Sequence, residues 1–283
     1  MKNMTQHAAE IASGERFAFG KNWAAFLANL DDSRIAAAEN SLRQMLDVDD
    51  LRGRNFLDIG SGSGLFSLAA RRLGAKVQSF DYDPASVACT RELKTRYYPQ
   101  DDDWTVGSGS VLDPDYMNSL PMFDIVYSWG VLHHTGQMWL ALEHAGRLVD
   151  EGGKLFIAIY NDQGTASRRW RSLKSAYNRL PKSLRPPVLW AVFVQLYWRP
   201  IVKDLVLLRP FQTFRVYSGL RGMSPWRDLV DWVGGYPFEV AKPEAIFDFY
   251  RARGFSLEKL NTCNDLGCNE FVFVRHKITR LPI

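Results

Sequence analysis

The chain is poor in cysteine, with three in 283 residues. So few cysteines cannot form the disulfide framework of a small extracellular domain, and they are typical of thiols in a reducing compartment. The first seventeen residues lack the apolar core of a secretory signal. The longest uncharged apolar run, residues 186–198, has 13 residues, whereas a membrane-spanning helix needs about 20. We therefore expect a cytoplasmic protein.

Acidic residues are almost missing from one part of the chain. Between residues 164 and 225 there are twelve Lys and Arg and a single acid, Asp204. This block carries a charge of +11 and the rest of the chain −7, so the net charge of +4 conceals a strongly basic region. Hydrophobic residues make up 46% of the chain and charged residues 23%, a composition that excludes intrinsic disorder.

Outside the basic block, apolar patterns typical of strands alternate with patterns typical of helices. A helix should follow the start signal Asp31-Asp32-Ser33. We expect helices at residues 36–51, 65–73, 85–97 and 137–149. We expect strands at residues 55–59, 76–80, 104–106, 123–128 and 154–160. This alternation indicates crossover connections, and therefore a parallel sheet covered by helices on both faces.

The alternation stops at the basic block, where five prolines should break any long helix, namely Pro181, Pro186, Pro187, Pro200 and Pro210. After the block we expect a helix at residues 243–253. Strands at 255–260 and 270–276, joined by the turn 261–269, should form a hairpin that closes the parallel sheet with an antiparallel edge. The chain then divides into an N-terminal helical cap (1–50), a core (51–163 and 243–283) and a basic aromatic insertion (164–242).

The strongest motif is FLDIGSGSGLF, residues 56–66, at a strand-to-helix junction. Glycines at positions 60, 62 and 64 let the backbone approach a ligand at a helix N-terminus. Leu65 stands where a dinucleotide fingerprint requires a small residue, and the Gly-Lys-Ser/Thr of a P-loop is absent. Asp58 would repel a pyrophosphate, but it suits a cationic amine or sulfonium.

A second acid, Asp81, follows Gly60 by 21 residues, at the end of the next strand. This is the position at which an acid binds ribose hydroxyls in nucleotide-binding α/β folds. Asp83 is the alternative ribose ligand, although its place before Pro84 is more typical of a helix cap.

Four segments together resemble the class I S-adenosylmethionine-dependent methyltransferases, namely FLDIGSGSGLFSLAA, SFDYDP, GSGSVLD and FDIVYSWGVLHHTG. The resemblance covers about residues 51–160 and points to small-molecule O-methyltransferases of the ubiquinone-biosynthesis type. It implies an α/β fold, with a Rossmann-like, doubly wound, mostly parallel sheet, an antiparallel C-terminal hairpin strand and a helical insertion. It also implies S-adenosylmethionine as cofactor, S-adenosylhomocysteine as product and a small-molecule acceptor, with a hydroxyl oxygen expected.

The same resemblance assigns the cofactor contacts. Asp58 and Gly60 would lie near the methionine end and Gly62 at its junction with the ribose. Asp81 would bind the ribose hydroxyls. Ser110 and Val111 would flank the adenine, although relatives often carry Asp where Ser110 stands. The remaining expected cofactor contacts are Ser61, Gly64, Tyr82, Ser128 and Trp129.

His133 and His134 follow the fourth strand, at the edge of the sheet where ligands bind. Either could be the base that removes a hydroxyl proton, and either could instead be a structural histidine bonded to a carbonyl. Expected substrate contacts are Tyr160, Asn161 and Tyr236. Leu132-His133-His134 replaces the Glu-His of relatives that bind a divalent metal, so we expect no metal. Cys263 and Cys268 should be structural thiols rather than zinc ligands.

The insertion should control acceptor specificity, and its composition leaves four interpretations open. It could be an aromatic lid with a solvated basic face, a lid for an anionic small substrate, a peripheral contact with anionic lipid, or an RNA-binding surface. Residues 17–23 could fold over the cofactor, and residues 231–239 could be a hinge or part of the acceptor pocket. Two other functions remain as alternatives, namely an RNA methyltransferase and a non-catalytic S-adenosylmethionine-binding scaffold. We expect nucleic acid to be the less favoured partner, and the oligomeric state is open.

Overall fold

A computed structural model of the chain describes residues 2–28, 30–207, 209, 212, 225–264 and 267–276. Its strands are β1 (Asn55–Ile59), β2 (Lys76–Asp81), β3 (Trp104–Ser108), β4 (Phe123–Trp129), β5 (Val149–Tyr160), β6 (Phe255–Asn261) and β7 (Cys268–Arg275). They form one sheet in the order β3-β2-β1-β4-β5-β7-β6. Strands β1 to β5 pair in parallel, whereas β7 lies antiparallel between β5 and β6. The predicted fold class is confirmed.

The helices connect these strands. They are α1 (Lys2–Ser13), α2 (Gly20–Leu27), α3 (Asp32–Leu46), α4 (Leu65–Arg72), α5 (Pro84–Tyr97), α6 (Pro114–Asn118), α7 (Met138–Arg147), α8 (Thr165–Arg179), α9 (Arg185–Val206), α10 (Pro225–Gly234) and α11 (Pro243–Arg251). A short 3₁₀ turn, Leu132–His134, follows β4. Asp31 caps α3 by accepting a hydrogen bond from the Arg34 amide. The helix ends at Leu46 rather than at residue 51, because Asp47 adopts a left-handed conformation, with φ of 52°.

The sheet is buried on both faces, which explains the near-continuous apolar character of its strands. Successive residues of each strand point to opposite faces, so Phe56 and Phe156 join one core cluster while Leu57 and Ile157 join the other. Helices α3, α4 and α5 cover the first cluster, and α7 and α11 cover the second.

The expectation that prolines break every long helix is wrong for α9, which runs for 22 residues. Pro186 and Pro187 lie in its first turn, where amide groups have no partner within the helix and a missing N–H costs little. Pro200 lies inside the helix, which nevertheless continues to Val206. Pro210, Arg215 and Arg221 lie outside the described residues, as do Phe211, Phe214 and Tyr217.

Helices α8, α9 and α10 pack together around a small apolar core. It consists of Tyr177, Leu189, Val192, Leu229 and Val233. Within the described residues, no helix is both long and apolar enough to cross a bilayer. At the other end of the chain, α2 packs against α5 and brings the N-terminal cap over the glycine loop.

Candidate active site

The carboxyl ends of the five parallel strands meet at one edge of the sheet. Gly60 follows β1, Asp81 ends β2, Ser110 follows β3, Trp129 ends β4 and Tyr160 ends β5. The topology therefore brings the predicted cofactor and substrate segments to one edge, where open α/β sheets bind their ligands.

The glycine loop between β1 and α4 needs its glycines for two physical reasons. Gly60, Gly62 and Gly64 have φ values of 81°, 55° and 81°, which L side chains rarely adopt. A Cβ at Gly60 would also lie 2.4 Å from Cγ1 of Val131, and one at Gly62 would lie 3.1 Å from the Trp23 indole. The loop is thus enclosed by the turn after β4 and by the N-terminal cap.

The half-buried Asp81 carboxylate faces this loop. Its Oδ2 accepts a hydrogen bond from the Gly62 amide at 2.9 Å, and its Oδ1 accepts one from the Asp83 amide at 2.8 Å. Burial raises the pKa of Asp81 to about 6, although the two amide donors oppose that rise. Asp83 caps α5 through the Ala85 amide and also accepts from the Gly20 amide at 2.8 Å, so its carboxylate is engaged by protein groups.

Asp58 lies beneath the loop, and its side chain is 2% exposed. The Ser67 hydroxyl on α4 donates to its Oδ2. The Ser67 oxygen lies 2.7 Å from the Ser79 hydroxyl, which in turn accepts from the Trp104 indole at 2.9 Å. Burial raises the pKa of Asp58 to about 7; the Ser67 hydrogen bond opposes the rise and the Asp81 charge adds to it. The carboxylate therefore supports the loop from inside.

Other predicted cofactor residues already bond to protein groups at this edge. The Ser61 hydroxyl lies 2.9 Å from that of Thr90, and the Ser128 hydroxyl donates to the Ile59 carbonyl at 2.9 Å. The Ser110 hydroxyl accepts from the Leu112 amide at 3.2 Å. These contacts position the loops around the predicted cofactor site.

The adenine-side and β4-end residues differ in exposure. Val111 is buried, and its carbonyl is bonded to His144 Nδ1 at 2.6 Å. Trp129 is 45% exposed and donates its indole N–H to Glu270 at 2.7 Å, which holds its ring on the β7 side of the sheet edge.

The N-terminal cap connects the cofactor side to the histidine turn through Arg16. Its guanidinium lies 4.9 Å from the Tyr82 ring centre and pairs with Glu10 at 2.7 Å. The same group donates to the His134 carbonyl at 3.1 Å. Glu10 also accepts from the Tyr82 hydroxyl at 3.2 Å. The sequence singled out residues 17–23 but gave no signal for Glu10 or Arg16.

The two histidines occupy different environments. His134 Nδ1 lies 2.6 Å from the Pro237 carbonyl, while its ring packs 5.0 Å from that of Phe19. His133 is fully buried; its ring nitrogens make no hydrogen bond of normal geometry, but the Ala158 backbone lies close enough to oppose the fall in the His133 pKa. Burial lowers both pKa values, to about 3 for His134 and well below its ordinary value for His133. Both rings are therefore neutral near physiological pH.

The predicted substrate residues lie in two kinds of surroundings, with the two tyrosines near the histidine turn or in the connection after α10 and Asn161 at the β6–β7 turn. The Tyr160 ring lies 3.9 Å from the His133 ring and 5.3 Å from that of Phe238, inside an aromatic cluster. The backbone carbonyl of Tyr236 accepts a hydrogen bond from the Phe17 amide. The Asn161 side chain instead bonds to the Cys263 carbonyl and to Asn269, so it holds the β6–β7 turn.

Lys174 is a further residue that sequence reasoning missed. Counted among the surface charges of the basic block, it is fully buried and donates to the Trp232 carbonyl. Its ammonium lies 4.1 Å and 4.8 Å from the ring centres of Trp232 and Phe238. Burial lowers its pKa to about 7, with the Asp231 charge opposing. The spacing of Trp170, Lys174 and Tyr177 on α8 was the available signal, because it puts Lys174 on the aromatic face.

Residues 232–239, which are the end of α10 and the connection that follows it, form a strap held by hydrogen bonds to their carbonyl groups. Side chains of α8 donate to three of its carbonyls: Lys174 to Trp232, Asn178 to Gly234 and Arg171 to Phe238. The Phe17 amide donates to Tyr236, and His134 bonds to Pro237. The strap thereby joins the N-terminal cap, the insertion and the histidine turn.

Comparisons with known proteins agree with this architecture. A family model described as a methyltransferase domain matches residues 30–187. The ribosomal protein L11 methyltransferase of Bacillus cereus is 44% identical over 62 residues, 22% of this chain and 20% of that protein. A ubiquinone biosynthesis O-methyltransferase of Xanthomonas oryzae is 34% identical over 112 residues, 40% of this chain and 45% of that protein. The chain thus spans less than half the length of either curated relative.

Among solved structures, the magnesium protoporphyrin IX methyltransferase of Synechocystis, crystallised with bound SAH, superposes with a TM-score of 0.50. The match covers 85% of this chain and 83% of that one at 16% identity, a level at which the likeness shows the fold. The family model matches more than half of the sequence, and the sheet order and glycine loop agree with it. The chain belongs to the methyltransferase-domain family, with the fold of the class I S-adenosylmethionine-dependent methyltransferases.

Proposed function

We propose that the protein transfers the methyl group of S-adenosylmethionine to a hydroxyl oxygen of a small-molecule acceptor. The observation that carries this proposal is the contact between His134 Nδ1 and the Pro237 carbonyl. Since a carbonyl can only accept, the proton must lie on Nδ1, which leaves the lone pair on Nε2. His134 is thus fixed in the tautomer that a general base requires.

The residues at the sheet edge fit this cofactor. Glycine at three of the five positions of the loop leaves its backbone open to a ligand, and the Asp81 carboxylate beside the loop supplies negative charge, which suits a cationic cofactor. We assign the ribose hydroxyls to Asp81 and the adenine to Ser110 and Val111. The other proposed contacts are Gly60, Ser61, Gly62, Gly64, Tyr82, Ser128 and Trp129. When bound, the cofactor supplies an activated methyl group whose leaving group is a neutral thioether.

The protein's part of the reaction is to position the acceptor and to accept one proton. His134 Nε2 takes the hydroxyl proton as the acceptor oxygen forms its bond to the methyl carbon. Burial keeps the ring unprotonated, so the base form is present throughout the physiological range. The strap holds the ring in place through Pro237, and Lys174 holds the strap. No metal is needed in this scheme.

The aromatic cluster supports an acceptor bound beside β5. Tyr160 and Tyr236 would contact it, and Asn161 would act indirectly by holding the turn beside Tyr160. His133 is the second candidate base. A buried polar group without hydrogen bonds costs about 1–3 kcal/mol, and a bond from the acceptor hydroxyl to His133 would offset that cost.

An anionic acceptor is favoured by the exposed arginines at the start of α8. Arg168 and Arg169 are exposed, whereas Arg171 donates its Nε–H to the Phe238 carbonyl. Replacing Arg168 and Arg169 by Gln should raise the acceptor KM and leave cofactor affinity within about threefold, since exposed charges contribute about 0–1 kcal/mol each. Rising salt should have the same effect on the wild type. An unchanged KM in the double variant would count against an anionic acceptor.

The RNA alternative loses support because several cations of the basic block are already engaged. Lys174 is buried, and Arg171 and Arg185 donate to backbone carbonyls. Fewer charges than the count suggests are therefore available for phosphates. The scaffold alternative predicts cofactor binding without turnover.

The test is methyl transfer from labelled S-adenosylmethionine to small molecules of a cell extract, read by mass spectrometry. Labelled product should form after nuclease treatment, and His134→Gln should reduce turnover by about 10²–10⁴-fold, the usual contribution of a general base. S-adenosylhomocysteine affinity should stay unchanged in this variant, and His276→Gln, at an exposed position, is the matched control. Product that disappears with nuclease would favour RNA. Cofactor binding without turnover would favour the scaffold.

A further inference from the structure

Helix α9 has an inner and an outer face of different character. Leu189 and Val192 on the inner face are buried against α8 and α10. The outer face carries a row of large apolar residues at intervals of three or four, which places them along one side of the helix. These are Trp190, Val194, Trp198, Ile201 and Leu205, and they are 40–67% exposed. Val202 and Val206, also exposed, flank the row.

An exposed apolar surface of this length requires a partner, because soluble proteins rarely leave such patches uncovered. The row runs for about 22 Å along the helix, at 1.5 Å per residue from Trp190 to Leu205. Since no described helix is able to cross a bilayer, a lipid partner would be met by a helix lying along the membrane surface.

The charges beside the row select the chemistry of that partner. Arg199 and Lys203 are exposed on α9, and Lys182 and Arg209 are exposed near its two ends. The acid of this region, Asp204, is 6% exposed. Among described residues 165–207, therefore, the exposed charges are all positive. Each cation near an anionic membrane contributes about 1 kcal/mol to binding.

The aromatic residues of the row favour a lipid interface. Trp190 and Trp198 combine a large apolar ring with one polar N–H, the combination that is enriched where membranes meet water. The Arg199 guanidinium lies 5.3 Å from the Trp198 ring centre, so a cation and an aromatic ring are presented together. Long cationic side chains can reach headgroups while their stems cover apolar surface.

We infer that the outer face of α9 docks on the surface of an anionic phospholipid bilayer, with its apolar row in the acyl boundary and Arg199 and Lys203 among the headgroup phosphates. This contact is independent of the methyl-transfer chemistry, and it can be measured without knowledge of the acceptor.

The experiment is co-sedimentation of the full chain with vesicles of phosphatidylcholine alone or with about 30% phosphatidylglycerol, a mixture that attracts basic segments. Binding to the anionic vesicles should be at least about 10-fold stronger and should weaken with salt. Val194→Ser with Trp198→Ser should reduce binding about 10-fold or more through lost apolar burial, and Arg199→Gln with Lys203→Gln should do so through lost charge. Trp139→Ser, at an exposed tryptophan of α7, is the matched control and should bind like the wild type.

Thermal unfolding and S-adenosylhomocysteine binding of each variant establish that it is folded. The inference is overturned if the folded wild type does not bind anionic vesicles, or binds neutral ones equally well. It is also overturned if the Val194/Trp198 variant binds like the wild type. Self-association of the wild type that this variant abolishes, without lipid binding, would assign the face to a second copy of the chain.

Discussion

The ammonium group of Lys174 lies 4.1 Å from the centre of the Trp232 indole ring and donates a hydrogen bond to the carbonyl of the same residue. One buried amino group therefore holds both the side chain and the backbone of Trp232. Because Trp232 begins the strap that carries Pro237, the position of Lys174 affects the orientation of His134. Burial lowers the pKa of Lys174 although the Asp231 charge opposes that fall, so the burial of this group should have a measurable energetic signature.

The first prediction concerns stability and pH. Burial lowers the pKa of Lys174 from 10.5 to about 7. Between these values the unfolded chain holds a proton that the folded protein has released, so the free energy of unfolding should rise with pH. The slope should reach up to about 1.4 kcal/mol per pH unit. Lys174→Met should lose this rise, measured by urea unfolding at several pH values above 7. Lys182→Met, at an exposed lysine, should keep it. A wild-type slope in the Lys174 variant would refute the assignment.

The second prediction concerns cofactor affinity. Asp81→Ala should weaken S-adenosylhomocysteine binding by about 10- to 150-fold, because a lost charge-assisted hydrogen bond costs about 1.5–3 kcal/mol. Isothermal titration calorimetry measures the change. Asp83→Ala should mainly remove the cap of α5, which lowers the free energy of unfolding by about 1 kcal/mol, and the affinity for S-adenosylhomocysteine should stay unchanged. The reverse pattern in the two folded variants would transfer the ribose contact to Asp83.

The third prediction separates backbone strain from steric overlap by comparing Gly60 of the glycine loop with Gly53, which precedes β1. Gly53 and Gly60 both have left-handed backbones, but a Cβ at Gly53 meets nothing within 4 Å, whereas one at Gly60 overlaps Val131. Gly53→Ala should therefore cost about 1–2 kcal/mol from strain alone, and Gly60→Ala should cost about 1–3 kcal/mol more. Val131→Ala in the Gly60→Ala background should recover part of that excess. Equal urea midpoints for the two glycine variants would contradict this account.

The fourth prediction concerns metals. No group of three or more His, Cys, Asp or Glu is arranged to hold an ion within the described residues. Leu132 stands where the relatives that bind a divalent metal carry Glu, so we expect turnover to be the same in the presence and absence of EDTA. Loss of activity with EDTA and its recovery with magnesium or zinc would show that the metal-free scheme is wrong.

Most of the sheet could be predicted from the sequence because strand periodicity and helix start signals are local. Strand β1 agrees with the structure, and the other predicted strands differ mainly at their ends. The start signal at Asp31 is confirmed as the cap of α3, although the helix begins at Asp32 and not at residue 36. The cap helices α1 and α2 had no comparable signal, since their stability depends on contacts with distant loops. The length of α9 was missed because the sequence alone does not show whether a proline lies in the first turn of a helix, where it is tolerated, or in the interior, where it usually breaks the helix.

The candidate site was predictable where one continuous motif carries it. Gly60, Gly62 and Asp81 could be found because their spacing along the chain reflects the βαβ unit. The strap could not be predicted, because it is held through backbone carbonyl groups. Every residue has a carbonyl, so the sequence does not mark the ones that accept these hydrogen bonds. Lys174 was missed for a related reason. A lysine is assigned to the surface by composition, and only packing against Trp232 and Phe238 shows otherwise.

The place of β7 between β5 and β6 has a consequence for synthesis of the chain on the ribosome. Strand β5 is complete at Tyr160, but the strand that pairs with its outer edge begins at Cys268. The nascent chain must therefore make about a hundred further residues, the whole insertion included, while that edge has unpaired backbone groups. During this interval the chain is open to pairing with other extended segments, so slow translation through the insertion would prolong its exposure to misassembly.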